Sequence, residues 1–159
     1  MISESLQWLQ GTSLAVAVSE QWFPYIESVH VITMALVAGT LFIVDTRLMG
    51  ITSKGVTFSY LSERLLPWTW WAFGGSVITG TLMFMGNATG YYDNTCFRWK
   101  MSLMLLAGLN MACFQRVTFR GVAAWDSARP PLAARLAGIL SIVLWSGVIG
   151  FGRWIGFTT

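Results

Sequence analysis

Charged side chains are scarce in this sequence, and their scarcity excludes an ordinary soluble domain. Asp, Glu, Lys and Arg make up 11% of the 159 residues, whereas hydrophobic residues make up 55%. So little polar surface cannot cover a water-soluble domain of this size. The chain also lacks a Ser/Gly-rich linker, a block of like charge and an internal repeat. The composition therefore predicts an integral membrane protein that forms a single domain over residues 1–159.

Histidine and cysteine are nearly absent, which limits the metal and redox chemistry open to the chain. There is one histidine, His30, and the two cysteines, Cys96 and Cys113, are too far apart for a CxxC site. A disulfide between them would have to cross much of a helix, so both are predicted to be free thiols. No GxGxxG or P-loop motif is present. The ten basic residues are scattered and flank apolar segments, which indicates membrane topology and no nucleic-acid partner.

The N-terminal region contains no Lys or Arg in its first 46 residues, so the basic start of a cleaved signal peptide is missing. Residues 3–19 mix Leu and Val with Gln, Ser and Thr, which predicts an amphipathic helix lying in the membrane interface. Trp8, Trp22 and Phe23 would anchor this helix at the headgroups. Pro24 would end it before the chain enters the bilayer.

Four apolar segments approach the roughly 20 residues that a helix needs to cross the hydrocarbon core. They run over about 26–48, 66–85, 97–114 and 132–151. The expected fold is therefore all-α: an integral membrane four-helix bundle preceded by an N-terminal interfacial amphipathic helix.

Topology follows from the basic residues, if the two termini share one side of the membrane. The connections after the first and third spans hold Arg47, Lys54, Arg64, Arg116, Arg120, Arg129 and Arg135; the other side holds Arg98, Lys100 and Arg153. Because the richer side faces the cytoplasm, the chain is predicted to lie in the bacterial cytoplasmic (inner) membrane as a multi-pass protein, with both termini periplasmic.

Glu27 and His30 share one face of the first span, and ionisable groups inside a bilayer usually mark function. His30 lies near the outer surface, so a neutral imidazole could ligate haem b within the bundle. A second axial ligand would be a Met sulfur or another subunit. Candidate residues at the same level are Met34, Met83 and Met101 for the iron, and Arg98, Lys100 and Arg153 for the propionates. Trp145 could line a cofactor or lipid pocket, with core packing as the alternative.

Two other interpretations of His30 remain open. His30 and Met34 are spaced i, i+4, and with Met101 they could form a soft site for copper. Alternatively, Glu27 pairs with Arg153 or Lys100 while His30 bonds to a neighbouring helix, so that both serve only to hold the bundle together.

Three further polar residues are predicted to be structural. Asp45 and Arg47 lie at the inner boundary of the first span, where Asp45 could pair with Arg64 or with a basic residue of the connection after the third span. Asn110 lies within the third span and should find a partner across helices.

The sequence resembles a bacterial family of small four-span membrane proteins of unknown function, DUF6644. The resemblance covers nearly the whole chain. It rests on Trp22-Phe23-Pro24 with Glu27 and His30, Gly39, Asp45-Thr46-Arg47-Leu48-Met49-Gly50, Leu66-Pro67-Trp68-Thr69-Trp70, Thr79-Gly80, Ala107-Gly108-Leu109-Asn110 and Gly152-Arg153-Trp154-Ile155.

More distantly, the pattern Tyr92-x-Asn94-x-x-Phe97-x-x-Lys100 looks like the CopD and HemJ-like membrane proteins. That resemblance implies copper handling or haem b held by histidine. This chain departs from it in having a single histidine, so a HemJ-type oxidase site is not expected.

Together these features favour a haem b-binding membrane subunit that transfers electrons or assists a membrane redox complex and is not an enzyme on its own. The alternatives are a structural or assembly subunit without a cofactor and a copper-handling protein. Expected partners are the lipid bilayer and either further copies of this chain or a larger membrane complex.

Overall fold

A computed structural model of the chain describes residues 2–52, 55–126 and 129–158. Lys54, one of the basic residues used for the topology, lies outside the described residues. The described part is all-helical, so the predicted fold class is confirmed at this level. The α-helices are α1 (Ile2–Gln10), α2 (Ser13–Ala17), α3 (Phe23–Leu48), α4 (Phe58–Gly86), α5 (Ala88–Asp93), α6 (Thr95–Cys113) and α7 (Leu132–Ile155).

The predicted single interfacial helix over residues 3–19 is wrong. The chain breaks after α1, and Thr12 starts α2 by accepting a hydrogen bond from the Ala15 N–H at 3.3 Å. A π-helical turn, Val18–Trp22, then joins α2 to α3 without a break. Pro24 does not end a helix, because it lies in the first turn of α3, where its missing N–H costs little.

The four predicted spans correspond to four long helices, and side-chain caps start two of them, α4 and α6. α4 begins at Phe58 instead of Leu66, because the Thr57 hydroxyl accepts from the Tyr60 N–H at 3.3 Å. The Asn94 side chain caps α6 by accepting from the Phe97 N–H at 3.1 Å. After α6 the chain continues through a π-helical turn, Phe114–Thr118, and a 3₁₀ segment, Phe119–Ala124.

Small and hydroxyl-bearing residues bring the long helices together. α3 and α4 form an antiparallel pair, in which the Thr69 hydroxyl donates to the Thr40 hydroxyl at 2.8 Å. α6 pairs with α7, and α3 packs against α7. At the α3–α7 contact a Cβ placed on Gly138 would lie only 2.9 Å from the Asp45 carbonyl oxygen. The bundle is therefore two helical hairpins joined through α3 and α7.

Two connecting segments are fixed at the end of the bundle where α3 finishes. Arg47 is buried, and its guanidinium donates to the carbonyls of Val56 at 2.8 Å and Asp126 at 2.9 Å. The Asp126 carboxylate in turn accepts from the Ser59 N–H at 2.9 Å. A hydrophobic cluster beside them contains Val44, Leu48, Phe58, Trp125 and Ala134. Arg47 thus joins the segment before α4 to the segment before α7.

Two helical stretches among the described residues, Ser13–Leu48 and Leu132–Ile155, are long and apolar enough to cross a membrane. The other two predicted spans, α4 and α6, do not reach the same measure of hydropathy. Arg98 and Lys100 interrupt the predicted span in α6, whereas the span in α4 is diluted by Thr, Ser, Gly and Trp residues. Length and composition therefore establish two candidate spans, not four.

Candidate functional site

His30 lies on the seam between α3 and α4. Its Nδ1 is 2.9 Å from the Thr79 hydroxyl oxygen, and that hydroxyl donates to the Gly75 carbonyl at 2.8 Å. Which group donates in the contact between Nδ1 and Thr79 depends on the tautomer of the imidazole.

The surroundings of the imidazole are tight. A Cβ on Gly80 would lie 3.2 Å from Cε1 of His30, so only glycine fits there without displacing the ring. Lys100 of α6 is the charged group that acts on His30, and its chain packs over Gly152 of α7, with Nζ 3.6 Å from a Cβ placed there. His30 is thus held by α4 and faces a cation.

Glu27 and His30 share a helix face in the sequence but differ in their surroundings. Glu27 is exposed, whereas His30 is partly buried. Burial and then the Glu27 carboxylate raise the pKa of the Tyr91 phenol above its ordinary value. The Tyr91 ring stacks against Phe84, with ring centroids 6.3 Å apart. The charge of Glu27 therefore affects Tyr91 in the connection around α5.

Of the three basic residues predicted to bind propionates, only Lys100 approaches His30. Arg98 is exposed and donates to the Thr95 hydroxyl at 3.4 Å. Arg153 is exposed and lies over the Phe157 ring, 5.3 Å from its centroid. The predicted cluster of cations around an outer haem edge is not assembled.

The predicted iron or copper ligands lie on three helices, Met34 on α3, Met83 on α4 and Met101 on α6. Met34 is partly buried, one turn from His30, whereas Met101 is 47% exposed on α6. In the described part of the chain α3 and α6 share no extended interface, and no three His, Cys, Asp or Glu side chains form a metal-binding group. Cys96 and Cys113 are free thiols.

The side of His30 that faces α4 is occupied within the chain. The imidazole is bonded to Thr79 and packed against Gly80. The bundle does contain a cavity of about 570 Å³, but His30 does not line it. Trp145 does line it, so His30 and Trp145, which were both predicted to bind a cofactor, lie at different sites.

The three residues predicted to be structural have distinct partners. Asn110 donates to the Ala137 carbonyl of α7 at 3.0 Å, a contact across helices of the expected kind. The pairing of Asp45 with Arg64 does not form, because Arg64 lies over the Tyr60 ring, 5.5 Å from its centroid. Asp45 instead faces the Ser141 hydroxyl of α7, and its Oδ2 has no hydrogen-bond donor among the described residues.

The cavity is the feature that sequence reasoning missed. Asp45, Asn110, Ser141 and Trp145 line it, together with apolar residues of all four long helices. Asp45 was the available signal, since it is an acidic residue near the end of an otherwise apolar span. Nothing in the sequence placed it beside Trp145, because the two lie on different helices.

Comparisons with known proteins found one family model, described as a family of unknown function (DUF6644), which matches residues 14–158. No curated protein and no solved structure matches the chain. The more distant relation to CopD and HemJ-like proteins is not supported.

Proposed function

This chain belongs to the DUF6644 family, whose function is unknown, and we propose that it is a four-span protein of the bacterial cytoplasmic membrane with a non-catalytic, accessory or assembly role. The observation that carries the membrane proposal is the exposure of its most apolar helices. In the most apolar 18-residue stretch of each helix, the buried share is only 6% for Ser13–Leu48 and 28% for Leu132–Ile155. A core helix of a soluble protein would be mostly buried, whereas lipid covers such faces in a membrane.

The remaining helices also suit a bilayer. α4 has 29 residues and α6 has 19, so they extend roughly 43 and 28 Å, close to or beyond the hydrocarbon thickness of about 30 Å. The polar residues Thr69, Ser76 and Thr79 are buried within the bundle. Large apolar residues face outward, among them Val77, Ile78, Leu105, Leu106 and Leu109. This distribution supports four spans despite the lower hydropathy of α4 and α6.

The two cysteines test whether α6 crosses the membrane. Cys96 lies in the first turn of α6 and Cys113 is its last residue, and both are free. In cells with a permeabilised outer membrane, we expect an impermeant maleimide to label Cys113→Ala at Cys96 and to leave Cys96→Ala unlabelled. Labelling after detergent solubilisation is the control for access. Labelling of both variants in intact cells would show that α6 does not cross, and the reverse pattern would invert the proposed topology.

The accessory role is supported by how the candidate chemical groups are used. His30 Nδ1 and the Asn110 amide make contacts between helices, as in the assembly-subunit interpretation. The competing proposal of electron transfer through haem b rests on the second ring nitrogen of His30, Nε2, which the contact with Thr79 does not use. A haem would then need a ligand and space from a second subunit.

Replacing His30 distinguishes the two roles. We expect purified wild-type protein to show no Soret band, oxidised or reduced, and His30→Ala to lower the free energy of unfolding by about 1 kcal/mol, a typical value for a polar contact between membrane helices. A double-mutant cycle with Thr79→Val measures the coupling between the two side chains.

Ser28→Ala is the matched control, because Ser28 lies on the same helix and donates to the Pro24 carbonyl within it. It should show no coupling to Thr79→Val. A Soret band that His30→Ala abolishes would overturn the accessory role in favour of haem ligation.

A further inference from the structure

The cavity lies where the two helical hairpins do not meet. α3 packs against α4, α6 against α7, and α3 against α7, but α4 and α6 share no extended interface in the described residues. Side chains from both flank the cavity, while α3 and α7 form its floor. Its volume of about 570 Å³ is that of a typical small-molecule site.

Aromatic pairs close the two ends of the gap between α4 and α6. At one end Phe84 stacks on Phe97, with centroids 5.5 Å apart. At the other end the Phe58 and Phe114 rings meet edge to face at 5.7 Å. A molecule entering the cavity must therefore pass sideways between α4 and α6. In the proposed membrane orientation that path leads from the hydrocarbon of the bilayer, so the ligand must be lipophilic.

Six aromatic side chains line the cavity. Phe73 and Trp145 face one another edge to face across the cavity lining, with centroids 6.4 Å apart, and Phe58, Trp70, Phe114 and Phe119 complete the aromatic surface. Such rings bury apolar groups and also attract a cation through the negative face of the π-system.

Asp45 is the polar group of this cavity whose hydrogen bonding is incomplete. The residue is only 5% exposed, lines the cavity, and has no donor to Oδ2 among the described residues. A buried carboxylate without a partner is costly. The nearest candidate cation in sequence, Arg47, is committed to the carbonyls of Val56 and Asp126. One oxygen of Asp45, Oδ2, is therefore open to a donor from outside the chain.

Two other polar groups at the cavity donate within the bundle. The Asn110 amide donates to the Ala137 carbonyl, and the Thr69 hydroxyl donates to Thr40. The Oδ2 atom of Asp45 remains as a buried acceptor without a donor among the described residues. An ammonium group has three donors and no acceptor, so it complements this wall in charge and in hydrogen bonding.

We propose that the cavity between α4 and α6 binds a lipophilic primary amine, with its ammonium on the Asp45 carboxylate and its apolar body against the aromatic wall. This ligand site goes beyond the accessory role, and the lipophilic nature of its ligand rests on the proposed membrane orientation. The lateral gap admits the ligand from the lipid, and Asp45 distinguishes an amine from a neutral amphiphile of the same length.

The test compares two probes that differ only in their head group, 11-bromoundecylamine and 11-bromoundecanol. Bromine quenches tryptophan fluorescence, and Trp145 and Trp70 line the cavity. Titrations in detergent micelles use the wild type, Asp45→Asn and Glu63→Gln. Glu63 is an exposed carboxylate of α4 that does not line the cavity, so its variant controls for the loss of one negative charge. Trp145→Phe identifies the part of the quenching that arises at Trp145.

We expect the wild type and Glu63→Gln to bind the amine at least about tenfold more tightly than the alcohol, since a buried charge pair is worth more than 1.4 kcal/mol. Asp45→Asn should reduce that ratio to near one. Equal binding of both probes to the wild type would overturn the role of Asp45. This comparison uses the wild type alone, so it does not depend on whether a variant folds. Quenching that Trp145→Phe leaves unchanged would overturn the site itself. Neither failure affects the proposed membrane topology, which thiol labelling tests separately.

Discussion

Replacing Arg47 with methionine should lower the free energy of unfolding by about 3 kcal/mol or more. The guanidinium is 2% exposed and holds two carbonyls on different connections, at 2.8 and 2.9 Å. Hydrogen bonds to charged groups contribute about 1.5–3 kcal/mol each, and the two carbonyls would lose their donor. Unfolding of the purified protein in mixed micelles with increasing dodecyl sulfate, followed by tryptophan fluorescence, measures the loss.

Two further variants separate geometry from charge at this position. Arg47→Lys keeps the charge but lacks the planar fork that reaches both carbonyls, so it should recover only part of the loss. Arg64→Met removes an exposed arginine that lies over Tyr60 and should cost no more than about 1 kcal/mol. Equal losses in Arg47→Met and Arg64→Met would contradict the view that Arg47 joins the two connections.

Gly138→Ala should lower the free energy of unfolding by about 1–3 kcal/mol, the usual range for overpacking. The added Cβ would lie 2.9 Å from the Asp45 carbonyl oxygen and 3.2 Å from the Leu48 Cβ, so the backbone of α3 or α7 must move. This is a larger effect than the gain of up to about 1 kcal/mol that alanine brings to a helix interior. The same denaturation assay measures it.

Gly150→Ala is the matched control on the same helix. Nothing lies within 4 Å of a Cβ at Gly150, so this change should leave stability unchanged or raise it slightly. If Gly138→Ala behaves like Gly150→Ala, then α3 and α7 are not in the close contact described. Because Gly138 packs directly behind Asp45, a shift there should also weaken amine binding in the cavity.

Much of the fold was predictable because it depends on local sequence. The long apolar runs place the cores of α3, α4, α6 and α7, since apolar runs of that length favour helices. The start of α4 and the N-terminal region were mispredicted for a related reason. Thr57 and Thr12 cap helices through single hydrogen bonds, which hydropathy does not register, and Pro24 is harmless in a first turn.

The candidate site was less predictable, because it depends on which residues of different helices meet. His30 and Asn110 were correctly singled out as polar residues within apolar helices, yet their partners, Thr79 and the Ala137 carbonyl, lie on other helices. Asp45 was assigned to a boundary ion pair, although Arg47 bonds to carbonyls and Arg64 remains outside. The position of a residue along its own helix does not determine which neighbouring helix its side chain faces.

The sequence by itself determined an all-helical chain of the DUF6644 family with apolar, membrane-suited helices, because composition and apolar run length are properties of single segments. Only the tertiary structure decided that His30 forms a hydrogen bond with Thr79 and that Asp45 lines a cavity with Trp145. The reason is physical: the small residues Gly75, Gly80 and Gly138 set how closely α3 approaches α4 and α7, and that approach fixes which polar groups are paired and which one is left facing the cavity.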